Sequence, residues 1–270
     1  EFRKRGVKVV LGGNHASMMP KEAAEHADAV VMGEAENLWP EILADARGGC
    51  LKKVYQSFER PDMEKLPIPR WDLVKHKNYL FHMIQTSRGC PFDCEFCTVK
   101  AMYGQAYRCK PLDTVVEEIT MLNGLDKKLI FLGDDNLIGN RKRTKELLRR
   151  IAPLKISYAV QLSIDVLKDD ELMSLFEESG CRRFVIGFES LSDANLRQMG
   201  KTADYKAEKY KEDVYRIQSR GIEVQGTFIL GYDFDDESVF EKTVKFIEET
   251  SMSAPVLNVL TPFPGTRICE

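Results

Sequence analysis

The stretch Thr86-Ser-Arg-Gly-Cys-Pro-Phe-Asp-Cys-Glu-Phe-Cys-Thr98 places thiols at Cys90, Cys94 and Cys97, directly after the β-like run His82-Met-Ile-Gln-Thr86. Three thiolates in a C-x-x-x-C-x-x-C spacing can hold three corners of a cubane iron–sulfur cluster, for which soft sulfur ligands are required. A fourth corner without a protein ligand leaves one iron open to another molecule, just as a catalytic zinc keeps one open position. Gly89 and Pro91 help the backbone turn around such a group. Two plainer accounts compete. Zinc sites usually read C-x-x-C twice, and no second pair or His-x-x-x-His follows here. Unrelated buried cysteines behave as small hydrophobes, but this close clustering beside Gly and Pro speaks against them.

From this loop to the end of the chain, strand-like and helix-like runs alternate. Strands are expected at about 82–86, 128–132, 156–162, 183–188, 223–230 and 255–260. Helices are expected between them at about 113–123, 141–151, 169–179, 205–220 and 236–250. Asp113 is a candidate N-cap for the first helix, Asp169 opens another, and Gly180 is placed to stop it. Repeated βα units with right-handed crossovers curl into a barrel or an open part of one, and such folds carry function on the loops after the strands.

At these strand ends the sequence is polar. Gly133-Asp134-Asp135 follows the second strand; paired carboxylates there can accept hydrogen bonds from an ammonium group, or form an Asx turn and helix cap. After the third strand Gln161, Ser163 and Asp165 alternate with Leu162 and Ile164, which turns them toward one face, taken as the barrel lumen. The fourth strand ends Val185-Ile-Gly-Phe-Glu-Ser190. Ser190 and Asp193 there also suit helix capping.

The cysteine spacing, with aromatic Phe96 before the third cysteine, resembles the radical S-adenosylmethionine (SAM) superfamily, and six βα units match its three-quarter barrel. The resemblance implies a 4Fe–4S cluster on Cys90, Cys94 and Cys97 whose open iron chelates the amine and carboxylate of SAM. It implies that Gly133, Asp134 and Asp135 hold the SAM amine where the family usually has a Gly-Gly-Glu-like segment. It places Gly187 and Glu189 near the SAM ribose and Thr227-Phe-Ile-Leu-Gly-Tyr-Asp233 along the adenine, with Phe96 as a further contact. Gln161 and Ser163 are cofactor-binding candidates from their place on the lumen face, where a polar group is costly unless it binds something. Leu260-Thr-Pro-Phe-Pro-Gly-Thr266 resembles the family's end to the sixth strand. Asp-Asp-Asn-Leu-Ile-Gly-Asn140 resembles the hopanoid methylase-like branch.

Residues 1–47 read as the end of an α/β domain. Strands at 6–11 and 29–32 close on Gly12-Gly13 and Gly33-Glu34, and helices are expected at 20–26 and 36–46. Strand, helix, strand, helix suggests parallel pairing with ligands at the carboxyl ends. The wording resembles the last third of the cobalamin-binding domain that precedes many radical SAM domains, in which the double glycine lets the corrinoid tail lie against the sheet. His15 reads as a solvated polar residue rather than a cobalt ligand. Residues 48–80 form a Pro-rich connector with a short strand at Val54-Tyr55 and Trp71 as a packing anchor between domains, and 81–270 the partial barrel. The fold class is thus α/β: a partial (β/α)6 barrel preceded by the C-terminal part of a Rossmann-like cobalamin-binding domain. Both ends read as cut from a longer protein.

Net charge −3 carries no basic nucleic-acid footprint. No run of about 18 apolar residues exists to span a membrane. No signal-peptide pattern opens the chain, and seven cysteines without a disulfide-like framework fit a reducing cytoplasm. Arg141-Lys-Arg143, Arg149-Arg150 and the Lys/Glu-rich 205–215 read as solvated helix faces. Cys109 and Cys181 read as core residues, Cys109 being close enough to the loop to act behind it. His76 and His82 show no metal-like spacing. The resemblance implies an enzyme that cleaves SAM to a 5′-deoxyadenosyl radical for cobalamin-dependent methyl transfer to an unactivated carbon. Its expected partners are a small-molecule or lipid-like substrate and a reductant such as flavodoxin or ferredoxin. Alternatives are cobalamin-free cyclisation or carbon–carbon coupling, and a non-catalytic iron–sulfur electron-transfer or scaffold protein.

Overall fold

Along Glu223–Leu230 every second residue is buried (Val224, Gly226, Phe228, Leu230), while Gln225, Thr227 and Ile229 stay half-exposed. That period of two marks a strand with helices packed on one face and a more open surface on the other. The computed structural model describes residues 1–201 and 205–270. They divide into two units, one of Glu1–Pro67, Phe96–Ala106 and Pro262–Glu270, the other of Ile68–Glu95 and Tyr107–Thr261.

In the first unit, β1 (Val10–Leu11), β2 (Ala29–Met32) and β3 (Val54–Gln56) form a parallel sheet in that order. Successive β2 side chains serve opposite faces: Val31 packs with Leu38, Ile42 and Tyr55, Val30 with Ala16, Ala23 and Ala27. Helices α1 (Asn14–Met18), α2 (Pro20–His26) and α3 (Trp39–Gly48) supply those layers, and α4 (Val99–Tyr103) belongs to the 96–106 segment. The first strand is shorter than the expected 6–11, because the Val9 N–H is taken by Asp28 Oδ2 at 2.9 Å rather than by a neighbouring strand. The connector stretch 48–80 contributes β3 to this sheet.

The second unit is built on six parallel strands in sequence order. They are β4 (His82–Ile84), then, beyond the short antiparallel pair β5 (Ser87–Arg88) and β6 (Arg108–Cys109), β7 (Ile130–Leu132), β8 (Tyr158–Leu162), β9 (Cys181–Glu189), β10 (Glu223–Leu230) and β11 (Val256–Val259). All six expected strands are present, joined by α5 (Leu112–Asp126), α6 (Arg141–Ile151), α7 (Asp170–Glu178), α8 (Asp193–Gln198), α9 (Tyr210–Gln218) and α10 (Ser238–Thr250). Sequential parallel neighbours linked by helices give the half-barrel curl. Under the helices, Phe188 stacks on Phe228 at 5.7 Å and meets the edge of Tyr210 at 4.8 Å. Each such burial contributes about 1.5–3 kcal/mol.

Several local expectations change. Pro111, not Asp113, occupies the N-cap of α5. Asp169 does cap α7, accepting from Leu172 N at 3.0 Å. Gly180 follows that helix at φ +92°, where a Cβ would also come within 2.3 Å of Ile156 O. Ser192, rather than Ser190 or Asp193, caps α8. α9 is not an exposed helix: it buries Tyr210, Val214 and Ile217 and keeps its charges on the opposite face.

Candidate functional site

β4 ends at Ile84, and the cysteine loop leaves from its carboxyl end. The turn is fixed by Asp134, just past β7. Its Oδ1 accepts from Thr86 N (2.9 Å), Ser87 N and Ser87 Oγ (2.8 Å), and its Oδ2 accepts from Thr86 Oγ1 (3.1 Å). Burial pushes this carboxyl up to about 6, against the pull of those donors. Asp135 does something different: its Oδ2 accepts from Gly89 N at 3.0 Å, one residue before Cys90, and it is only partly buried. Burial raises it, while the Gly89 N–H and Arg88 oppose the rise. The two carboxylates expected to act alike are therefore divided. Asp134 spends both oxygens on the base of the loop, and Asp135 lies along the loop itself.

Further groups brace the same turn. Ser87 Oγ shares its one proton between Asp134 Oδ1 and Tyr107 Oη, 2.9 Å away, and Tyr107 donates its own to Leu137 O at 3.1 Å. Arg143 Nη2 donates to Lys110 O (2.8 Å) and Thr86 O (3.2 Å), so this arginine is a backbone clamp rather than part of a solvated face. Cys109 lies opposite Ser87 in the β5–β6 pair, half-buried. Trp71 belongs to the second unit, where its indole donates to buried Glu118 at 3.1 Å.

Cys90, Cys94 and Cys97 are half-buried and not joined in disulfides. Burial raises the Cys90 thiol, while hydrogen bonds from the Phe92 backbone and the Asn136 side chain draw it down. Asn136, itself buried, also donates to Ser163 Oγ at 3.2 Å. Sulfur atoms with N–H donors suit an iron–sulfur cluster, whose potential depends on such hydrogen bonds. β8 stops at Leu162 and a 3-10 turn, Ile164–Lys168, takes over. The alternation expected for Gln161, Ser163 and Asp165 therefore holds only for Gln161, which is exposed and donates to Asp135 O at 3.3 Å. Asp165 is instead held by Arg141 Nη2 at 2.6 Å.

At the end of β9, Glu189 has φ +65°, and the register with β10 slips there, pairing Thr227 with Gly187 and Phe228 with Glu189. Its side chain folds back over Gly187, where a Cβ would lie 2.1 Å from Glu189 Oε1. The carboxylate thereby reaches Lys201 Nζ at 3.1 Å. Burial works against the Lys201 charge, but Glu189, Tyr205 and Cys94 outweigh it and the ammonium is held above its usual range. Lys201 Nζ also sits 4.6 Å from the Tyr205 ring centroid. Glu95 N donates to Met199 O at 3.1 Å, which docks the loop beside Cys94 onto the end of α8. Lys201, Asn136, Arg143 and Tyr107 were not singled out as site residues. Nothing in their local sequence marks them, since each is recruited by pairing between distant segments. Gly133 sits against Met83, 3.1 Å from where its Cβ would be.

In the first unit, the parallel register Leu11↔Val30 sets Gly12-Gly13 and Gly33-Glu34 at neighbouring carboxyl ends. Gly13 (φ +92°) and Gly33 (φ +79°) adopt backbone that other residues rarely take. Ser17 stitches the two ends, donating to Gly13 O at 2.7 Å and accepting from Gly33 N at 2.9 Å. Buried Glu34 pairs with Arg60 at 3.3 Å. His15 is exposed and pairs with Glu22 at 3.2 Å.

The sequence pattern of the Radical SAM superfamily matches residues 84–247, more than half of the chain. The chain belongs to the radical SAM superfamily. Members of this superfamily use a 4Fe–4S cluster and SAM. This radical SAM chain is 34% identical over 283 residues to bacteriochlorophyllide d C-8(2)-methyltransferase of Chlorobaculum tepidum, covering 99% of itself and 63% of that protein. It is 29% identical over 273 residues to the hopanoid C-2 methylase of Rhodopseudomonas palustris, covering 97% of itself and 51% of that protein. The chain thus spans between half and two thirds of the length of these relatives. In fold it is similar to the radical SAM methyltransferase TsrM of Kitasatospora setae, solved with cobalamin and a [4Fe-4S] cluster, at a TM-score of 0.79 and 18% identity over 97% of this chain and 57% of that one.

Proposed function

We propose that the complete protein is a radical SAM methyltransferase in which Cys90, Cys94 and Cys97 hold a 4Fe–4S cluster. The observation that carries this reading is the cysteine loop held at the carboxyl end of β4 by Asp134 on Thr86 and Ser87 and by Asp135 on Gly89. A reduced cluster held by these three thiols would supply the electron for reductive cleavage of a carbon–sulfur bond of SAM. Asp134 keeps the loop in register. Asp135, which lies along the loop with Oδ2 on Gly89 N, is the carboxylate to receive the SAM ammonium. Gly133 lets Met83 approach closely, and Phe96, Gln161 and Glu189 complete the contacts, with Ser163 behind them on Asn136, so that catalysis rests on positioning.

Residues 1–47 are assigned to the C-terminal part of a cobalamin-binding domain, with 48–80 a connector and 81–270 the barrel. Gly12, Gly13, Gly33 and Glu34 at adjacent strand ends would lie along the corrinoid tail, where backbone can approach closely. The methyltransferase names of the relatives support methyl transfer to an unactivated carbon of a small-molecule or lipid-like substrate. A flavodoxin or ferredoxin is assigned as the reductant such a cluster requires. The same reading includes a cytoplasmic setting without nucleic-acid partners: a net charge of −3 carries no basic footprint, and no helix of the described residues is long and apolar enough to cross a membrane.

The test is anaerobic reconstitution of the complete protein. Formation of 5′-deoxyadenosine from SAM under reductant, together with a bound-corrinoid spectrum, is the expected result. A cluster without SAM cleavage would make it an electron-transfer or scaffold protein; cleavage without corrinoid would leave cyclisation or coupling.

A further inference from the structure

At the amino end of β4, away from the cysteine loop, the second unit gathers two imidazoles and a carboxylate from three elements. His76 lies in a 3-10 turn (His76–Asn78), His82 opens β4 and Asp126 closes α5. One ligand atom from each of these residues lies within 4.8 Å of the others. The sequence separates them widely, which is why no metal-like spacing is visible in it.

The bonding around them is that of a ligand set with its outer shell in place. His76 Nε2 lies 2.7 Å from Trp71 O. A carbonyl only accepts, so this contact puts a ring proton on Nε2, and in the neutral tautomer it is Nδ1 that carries the lone pair. That Nδ1 is buried and has no hydrogen-bond partner. His82 Nε2 lies 2.6 Å from Asp126 Oδ1, and His82 is 3% exposed. The other carboxylate oxygen, Oδ2, is taken by Lys128 Nζ at 2.9 Å, and the same ammonium donates to His76 O at 2.5 Å. Lys128 and then His82 hold the Asp126 carboxyl down to about 2, so it is ionised at neutral pH. Thus two of the three prospective ligands are fixed from behind, His76 by a carbonyl and Asp126 by an ammonium, while His82 is held by its burial at the start of β4. The positive Lys128 opposes a cation electrostatically, but it occupies the oxygen that faces away from His82.

We propose that His76, His82 and Asp126 form a divalent-metal site, of the nitrogen and oxygen composition that suits zinc, which staples the 71–78 segment to β4 and α5. Two ligands at about 2.0–2.1 Å in tetrahedral array stand about 3.3 Å apart. The ion therefore enters by opening the His82–Asp126 contact slightly and drawing His76 inward, with water as fourth ligand. In barrel folds chemistry sits at the carboxyl ends of strands and the amino ends serve stability, so the role assigned to this ion is structural.

The experiment is equilibrium dialysis of the anaerobic holoprotein, its loop cysteines occupied by iron, against micromolar zinc chloride, followed by elemental analysis. One zinc per chain beyond the iron is expected, with a higher thermal midpoint that a chelator reverses. His76→Gln and Asp126→Asn, each checked for native circular dichroism, should weaken zinc retention at least tenfold. Cys50→Ser with Cys269→Ser, which removes the two exposed thiols, should leave it unchanged. No stoichiometric zinc in the parent protein overturns the proposal. So does zinc that survives His76→Gln and Asp126→Asn, or that disappears with the two thiols.

Discussion

Glu189 Oε1 and Lys201 Nζ stand 3.1 Å apart with only 11% and 7% of their side chains exposed. Glu189 reaches this contact from a left-handed backbone conformation, across a glycine that has no side chain to obstruct it. A non-glycine residue in that region costs of order 1–3 kcal/mol, and such strain concentrates at functional sites.

Removing one partner of this pair strands a buried charge. Lys201→Met is expected to destabilise the protein by about 3–5 kcal/mol, and adding Glu189→Gln should recover most of that loss. Denaturant midpoints of the parent, the single and the double variant measure it. A Lys201→Met midpoint equal to the parent's would show that the pair carries no stability.

The two carboxylates after β7 should separate cleanly by substitution. Asp135→Ala should weaken SAM binding by about ten- to a hundredfold, the loss of one charge-assisted contact, with iron content retained. Asp134→Ala should lower iron content itself, because Thr86 and Ser87 lose their acceptor. Iron analysis and SAM titration of both variants decide this; full iron and weak SAM binding in Asp134→Ala would reverse the assignment.

Asp134 also makes stability depend on pH. Its folded value, about 6, lies above its ordinary 3.8, so between these values the folded state holds more proton than the unfolded chain. The stabilisation is fully present below about 3.8 and is lost as pH rises through about 6, by up to about 3 kcal/mol. Asp134→Asn, which keeps the shape without the ionisation, should remove that downward slope. Urea denaturation at several pH values across the window measures the change, and an unaltered slope would place the titration elsewhere.

Gly13 and Gly6 share a positive φ and open space around the missing Cβ, but only Gly13 stands at the crevice between β1 and β2. Valine strains the backbone at both, more at Gly13, whose ψ of −175° with positive φ is a region only glycine ordinarily takes, than at left-handed Gly6, so both variants are first checked for native circular dichroism. In the complete protein Gly13→Val should lose bound corrinoid while keeping its iron, and Gly6→Val should keep both. Equal corrinoid content in the two variants would return the double glycine to the role of a turn.

Much of the fold was legible because the barrel strands are short, largely apolar runs separated by segments of helical period, and all six lie where periodicity places them. The cysteine loop was legible because thiols at fixed spacing are rare. The division of labour between Asp134 and Asp135 was not, since it depends on which backbone N–H groups a turn 48 positions earlier presents. Lys201 was hidden for a similar reason: an isolated lysine after a helix reads as solvated until a strand bulge turns a glutamate toward it. Ser163 and Asp165 do not continue the alternation that holds at Gln161, because β8 gives way after Leu162 to a 3-10 turn, a change of period that the sequence does not mark.

The bond from Asp134 to Thr86 also bears on the timing of maturation. The turn that launches the cysteine loop is locked by a residue 48 positions downstream, across strands that pair as His82↔Ile130 to Ile84↔Leu132. Closing so long a segment precedes any gain from the contact. A nascent chain released before β7 is made would present its thiols on an untethered loop, open to oxidation and to the wrong metal. Iron delivery is therefore expected to follow the docking of β7 on β4.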